Sequence, residues 1–187
     1  MTTIDTHVSS VPATSGSGLA CVADWLTTTD HKRIGRLYIG TGALAFLASA
    51  VVALLLGIER ISPTREMLDV NSLTQLFSLQ RFGFTYLTLV PLLLGVGLAI
   101  VPLQVGSRSL TFPRLAAAGF WAWFIGAVLA VYALVNNGGP NGGNPRFVDL
   151  FTLSVALVAA GLLFGAVSLV TTILTTRAPG MNMRRVP

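Results

Sequence analysis

Two histidines and one cysteine supply all the imidazole and thiol groups in 187 residues. They bound the metal and nucleophilic chemistry open to this chain. An imidazole at His31, between Asp30 and Lys32, would suit a metal ion, but a ligand needs a second ligand near it. The reading adopted for His31 is structural: a helix cap or a headgroup contact. His7 lies in a run of Thr, Ser, Gly, Pro and Val. Cys21 alone can form neither an internal disulfide nor a thiolate cluster. Gly18-Leu19-Ala20-Cys21 has the look of a lipoprotein cleavage site, but residues 1–17 place no apolar segment ahead of it. Met67, Met181, Met183, Tyr38, Tyr86 and Tyr132 are further potential donors, and tyrosines scattered in this way serve as interfacial anchors. Phe120, Trp121, Trp123 and Phe124 could stack on a flat conjugated ligand. The plainer reading is an aromatic belt near the cytoplasmic end of a helix, combined with packing.

The elements that must position these groups follow from composition. Hydrophobic residues make up 53% of the chain and charged residues only 10%, against about 25% charged in soluble domains. The mean hydropathy is +0.74. Such a chain is neither a soluble enzyme nor disordered. Four apolar runs, at about 37–58, 82–103, 115–135 and 150–176, are each long enough to cross a hydrocarbon core, which takes about 20 helical residues. The runs lack the alternation of a barrel strand, and lipid admits only helices or closed barrels. The expected fold is all-α, a four-helix membrane bundle over 25–187, preceded by a flexible polar extension over 1–24. Asn136 to Pro145, rich in Asn and Gly, is a loop. Pro91 should kink the second helix by freeing a carbonyl.

The net charge of +5 resembles a nucleic-acid signal until the charges are placed. Lys32, Arg33, Arg36, Arg108, Arg114, Arg177, Arg184 and Arg185 lie on one side of the expected membrane. Arg60, Arg65, Arg81 and Arg146 lie on the other, offset by Glu59, Glu66, Asp69 and Asp149. The positive-inside rule puts both termini in the cytoplasm. The partner expected from composition is the bilayer, with no nucleic acid. No ionisable residue falls inside the four apolar runs, which argues against an ion-coupled pump built from these helices alone. Gly40 and Gly42, Gly95 and Gly97, and Gly161-x-x-x-Gly165 mark close-packing faces. A dimerisation seam at Gly161 and Gly165 is the alternative to packing within the bundle.

Four segments, in order, resemble heme-copper oxidase subunit I of the cytochrome c oxidase type. They are Trp25 to Gly35 before the first helix, Leu76-Phe77-Ser78-Leu79 at the second, Val101-Pro102-Leu103-Gln104-Val105-Gly106 with Phe112-Pro113-Arg114-Leu115, and Arg177-Ala178-Pro179-Gly180-Met181-Asn182-Met183. The resemblance spans Trp25 to Pro187 and implies the first four helices of that fold. It also implies sites that this chain departs from. The family holds a low-spin heme between two histidines, and the first falls at Gln80, whose amide is a poor axial ligand. The family's formyl-binding arginine falls at Gly57, although the glutamate two residues on is kept as Glu59. The aspartate at the mouth of the family's proton channel, five residues before the arginine of Phe112-Pro113-Arg114, falls at Ser109. Two channel asparagines fall at Leu98 and Ala116. The remaining heme and copper ligands belong to later helices of the family, beyond Pro187.

With these positions changed and the helix-boundary motifs kept, no heme, copper or other cofactor is expected, and the chain reads as leaning away from enzyme activity. The function expected is a non-catalytic accessory or assembly subunit of an aerobic respiratory complex in the inner (cytoplasmic) membrane. Its expected partners are oxidase or other respiratory subunits. Two alternatives stand beside this: a heme-binding redox protein of different design, using methionine or tyrosine ligands, and a free-standing membrane scaffold. Trp121 and Trp123, with Gly161 and Gly165, are candidates for a packing or partner interface.

Overall fold

The computed structural model describes residues 28, 30–61, 68–107 and 109–176. The polar extension, His7, Cys21, Met67 and the closing Arg177–Met183 segment lie outside the described residues. Four helices dominate: α1 (His31–Ile61), α2 (Val70–Gln104), α3 (Pro113–Val135) and α4 (Pro145–Thr175), each long and apolar enough to cross a membrane. The α3–α4 connection adds a small antiparallel ribbon of β1 (Gly138–Gly139) and β2 (Gly142–Gly143). The architecture is the expected all-α membrane bundle.

The helices are longer than the apolar runs at 37–58, 82–103 and 150–176. Apolarity marks the depth of the lipid, whereas caps and backbone hydrogen bonds set where a helix ends. The largest difference is at α2, which starts at Val70, well before Phe82. The Asp69 side chain accepts from the Asn71 N–H at 3.3 Å, and Thr74 and Ser78 hydroxyls bond carbonyls one turn back. The polar stretch before Phe82 is therefore helix, and Arg81 lies inside α2. At α4, Asn144 accepts from the Arg146 N–H at 3.2 Å and Pro145 occupies the first helical position, where its missing N–H costs nothing. That start lies ahead of the apolar run beginning at Leu150.

Helix pairs approach through residues without side chains. A Cβ on Gly119 would lie 2.7 Å from the Gly161 carbonyl, and one on Gly35 would lie 2.8 Å from the Gly95 carbonyl. Backbones this close gain dispersion contacts, which drive helix association in lipid. Tyr38 fills the centre of the bundle, its ring edge-on to Phe120 at 5.0 Å and tilted against Trp123 at 5.5 Å.

Candidate functional site

A cleft of about 380 Å³ lies between α1, α2 and α3. Thr41 and Ser49 come from α1, Gln80 and Leu87 from α2, and Trp123 and Ala127 from α3. Its walls are almost wholly apolar apart from one polar pair: the Ser49 hydroxyl donates to the Gln80 side-chain oxygen at 3.2 Å. The surrounding walls offer no other polar group to either side chain at this point, so the two satisfy each other.

The backbone beneath the cleft departs from α-helical pairing. Residues Gly83–Leu89 form a π-helical stretch, and the Val90 N–H reaches back to the Thr85 carbonyl. In the same pattern the Tyr86 carbonyl would take the N–H of residue 91, which is Pro91 and has none. The indole N–H of Trp123 takes its place, at 3.0 Å. Pro91 does free a carbonyl, as expected, and a neighbouring helix supplies the missing donor. Trp123 stands ten residues into α3 and is 2% exposed, so it is a mid-membrane core residue rather than part of a belt near the helix end. Trp121 is only partly buried, and its ring meets Phe120 edge-on at 5.1 Å.

The other candidate positions do not gather at this cleft. Leu98 and Ala116 are fully buried in one apolar cluster with Ile34 and Leu110. Ser109 is exposed on the α2–α3 loop, where its carbonyl accepts from the Ser107 hydroxyl at 2.6 Å. Gly57 lies near the far end of α1, and a Cβ built there meets nothing within 4 Å. Gly161 and Gly165 are turned toward Gly119 and Trp123 of α3 and Leu94 of α2 in the same chain. His31 opens α1, buried, with Nδ1 3.7 Å from the Asp30 carboxylate. Tyr38 is enclosed, whereas Tyr86 and Tyr132 are about half exposed toward lipid. No group of three or more His, Cys, Asp or Glu residues converges among the described residues.

Residues 33–187 match the family described as Cytochrome C and Quinol oxidase polypeptide I. The chain belongs to this family. It is 31% identical over 192 residues to cytochrome c oxidase subunit 1 of Bacillus sp. (strain PS3), covering 96% of this chain and 31% of that protein. With cytochrome c oxidase subunit 1 of Corynebacterium diphtheriae it shares 33% identity over 196 residues, covering 94% of this chain and 34% of the other. Quinol oxidase subunit 1 of Bacillus subtilis is 29% identical over 178 residues, 88% of this chain and 27% of that protein. The chain thus spans about a third of the length of these relatives. It is a multi-pass membrane protein of the cytochrome c and quinol oxidase family, as the four motifs implied.

Membership in this family raises the question of heme. The cleft offers the Gln80 amide and the hydroxyls of Ser49 and Thr41 as its side-chain oxygen groups. None is the imidazole, thiolate, thioether or phenolate that holds heme iron, and Gln80 is already engaged by Ser49. The donor set of this cleft does not fit a low-spin heme.

Two features of the site were not read from the sequence. The Ser49–Gln80 pair joins residues 31 apart in sequence and depends on how two helices are rotated. Gln75, buried, donates from Nε2 to the Asn137 side-chain oxygen at 3.0 Å and to the Gly142 carbonyl at 3.2 Å. It thereby ties the ribbon to the start of α2. The only forewarning of either was polar residues recurring about one turn apart ahead of Phe82.

Proposed function

We propose that this chain is a non-catalytic, subunit I-like component that serves an aerobic respiratory complex as an accessory or assembly subunit. The observation that carries the reading is Gln80. It occupies the position that the resemblance gives to the first heme histidine, and its side chain is committed to Ser49. The dry packing of Leu98 and Ala116, at positions given to channel asparagines, supports the same reading. A bundle that keeps the family's helix-boundary motifs without its donor groups can present a surface like that of subunit I to proteins or lipids that recognise that surface. The positive-inside rule, with eight of the twelve Lys and Arg residues on one side, supports cytoplasmic termini.

Affinity purification of the tagged chain from native membranes in mild detergent tests the proposal. Oxidase or other respiratory subunits are expected in stoichiometric amounts. A preparation with no respiratory subunit would overturn it.

A further inference from the structure

The ribbon ends of α2 and α4 enclose a groove whose charge the described protein leaves unneutralised. α4 packs along α3 and meets α2 mainly over Val90–Gln104. Nearer the ribbon the two helices are bridged by side chains instead. Phe82 and Phe151 meet edge-to-face at 5.5 Å, and the Asn141 amide donates to the Ser78 hydroxyl at 3.2 Å. The space beside these bridges amounts to about 1060 Å³, at the upper end of the roughly 300–1,000 Å³ of small-molecule pockets.

Arg81 lines this groove and is exposed. Among the described residues it makes no ion pair or hydrogen bond. Asp69, at the N-cap of α2, is twelve residues and roughly 18 Å away along the helix, and Asp149 is not among the lining residues. Arg81 directly precedes the apolar run that begins at Phe82, so its guanidinium sits at the hydrocarbon boundary, where phosphate headgroups lie. Below it Thr85 and Tyr86 of α2 add two hydroxyls to a wall that is otherwise apolar, with Val155 and Ala159 of α4 beside the two phenylalanines. A free cation above a largely apolar groove complements an amphiphile with a negative head and aliphatic chains. The bilayer supplies such a molecule at this depth.

We propose that the groove holds one anionic phospholipid, with its phosphate on Arg81 and its acyl chains against Phe82, Phe151, Val155 and Ala159. Guanidinium donates two parallel hydrogen bonds to phosphate oxygens, and the preference for an anionic phosphodiester comes from the absence of a choline cation that would offset its attraction to Arg81. The second amide hydrogen of Asn141 provides a neighbouring donor. This site stands independently of whether the chain joins a respiratory complex.

The test is lipid binding to the full-length chain in mild detergent, with bound lipid counted by native mass spectrometry. Phosphatidylglycerol and phosphatidylcholine of identical acyl chains are the probes. One phosphatidylglycerol is expected to bind about tenfold more tightly than phosphatidylcholine, whose choline cation offsets the attraction between phosphate and Arg81. Arg81→Gln should bring that preference close to unity with helix content unchanged. Ala159→Phe, which fills the groove, should weaken binding of both lipids. Arg146→Gln, an exposed arginine at the same end but outside the groove, should leave the preference intact. Equal binding of the two lipids to the unaltered chain would overturn the proposal. So would a preference that survives Arg81→Gln, or one lost equally in Arg146→Gln.

Discussion

The indole N–H of Trp123 donates to the Tyr86 carbonyl at 3.0 Å, and that carbonyl is the one Pro91 leaves without a backbone partner. One helix thus repairs the hydrogen-bond defect of another, at a depth where water is scarce to do so. The bond also fixes the rotation of α3 against α2, which sets the walls of the Ser49–Gln80 cleft.

Trp123→Phe keeps the aromatic packing and removes the donor. It is expected to lower stability by about 1–3 kcal/mol, the cost of a buried acceptor left unpaired. In a Pro91→Ala background residue 91 regains its N–H, and the same substitution should cost less. Reversible denaturant unfolding in detergent micelles, arranged as a double-mutant cycle, measures the difference. Equal costs in both backgrounds would separate Trp123 from Pro91.

Gly161→Ala is expected to be among the more damaging single-methyl additions. Its Cβ would lie 2.6 Å from the Gly119 carbonyl and closer still to the Trp123 backbone. Overpacking of this kind costs about 1–3 kcal/mol. Gly57→Ala, where a Cβ meets nothing within 4 Å, should be neutral or slightly stabilising through helix propensity. Thermal unfolding in one detergent compares the two, and similar melting points would contradict the α3–α4 seam.

Leu98→Asn would restore the residue type that the family resemblance gives to that position. Here the amide enters a site that is 0% exposed and lined by apolar neighbours. An unpaired buried amide costs about 1–3 kcal/mol on the evidence of mutational series, so the variant should unfold at lower denaturant concentration than the parent. A variant as stable as the parent would show that the core admits water.

Gln80→His, reconstituted with heme, is expected to give no bis-histidine spectrum. A second imidazole is required, and the only other histidine among the described residues is His31. It lies eighteen residues along α1 from Ser49, the partner of Gln80, or roughly 27 Å. A stable low-spin heme from the single substitution would reveal a second ligand in this chain and would remove the main support for a non-catalytic role.

The four crossings and their order were legible because unbroken apolarity has a single solution in lipid. The start of α2 was not. Asn71, Ser72, Thr74, Gln75, Ser78, Gln80 and Arg81 make that stretch look like a connection, and only the resemblance of Leu76-Phe77-Ser78-Leu79 to the opening of the family's second helix pointed to an earlier start than Phe82. Gln80 was singled out through the motif around Leu76-Phe77, but its partner Ser49 follows from helix rotation, which such a uniformly apolar α1 does not encode in its periodicity. Trp123 was read as part of a cluster near a helix end. A proline five residues beyond Tyr86 implied that some donor had to exist, without saying which helix would provide it.

The closure of the bundle around Leu98 and Ala116 has an electrical consequence. An ion entering so dry and apolar an interior meets a barrier on the order of 20 kcal/mol in the idealised low-dielectric limit. A membrane potential contributes only about 2.3 kcal/mol per elementary charge for each 100 mV. At the layer of Leu98 and Ala116 the apolar packing therefore opposes the entry of an ion more strongly than a membrane potential drives it.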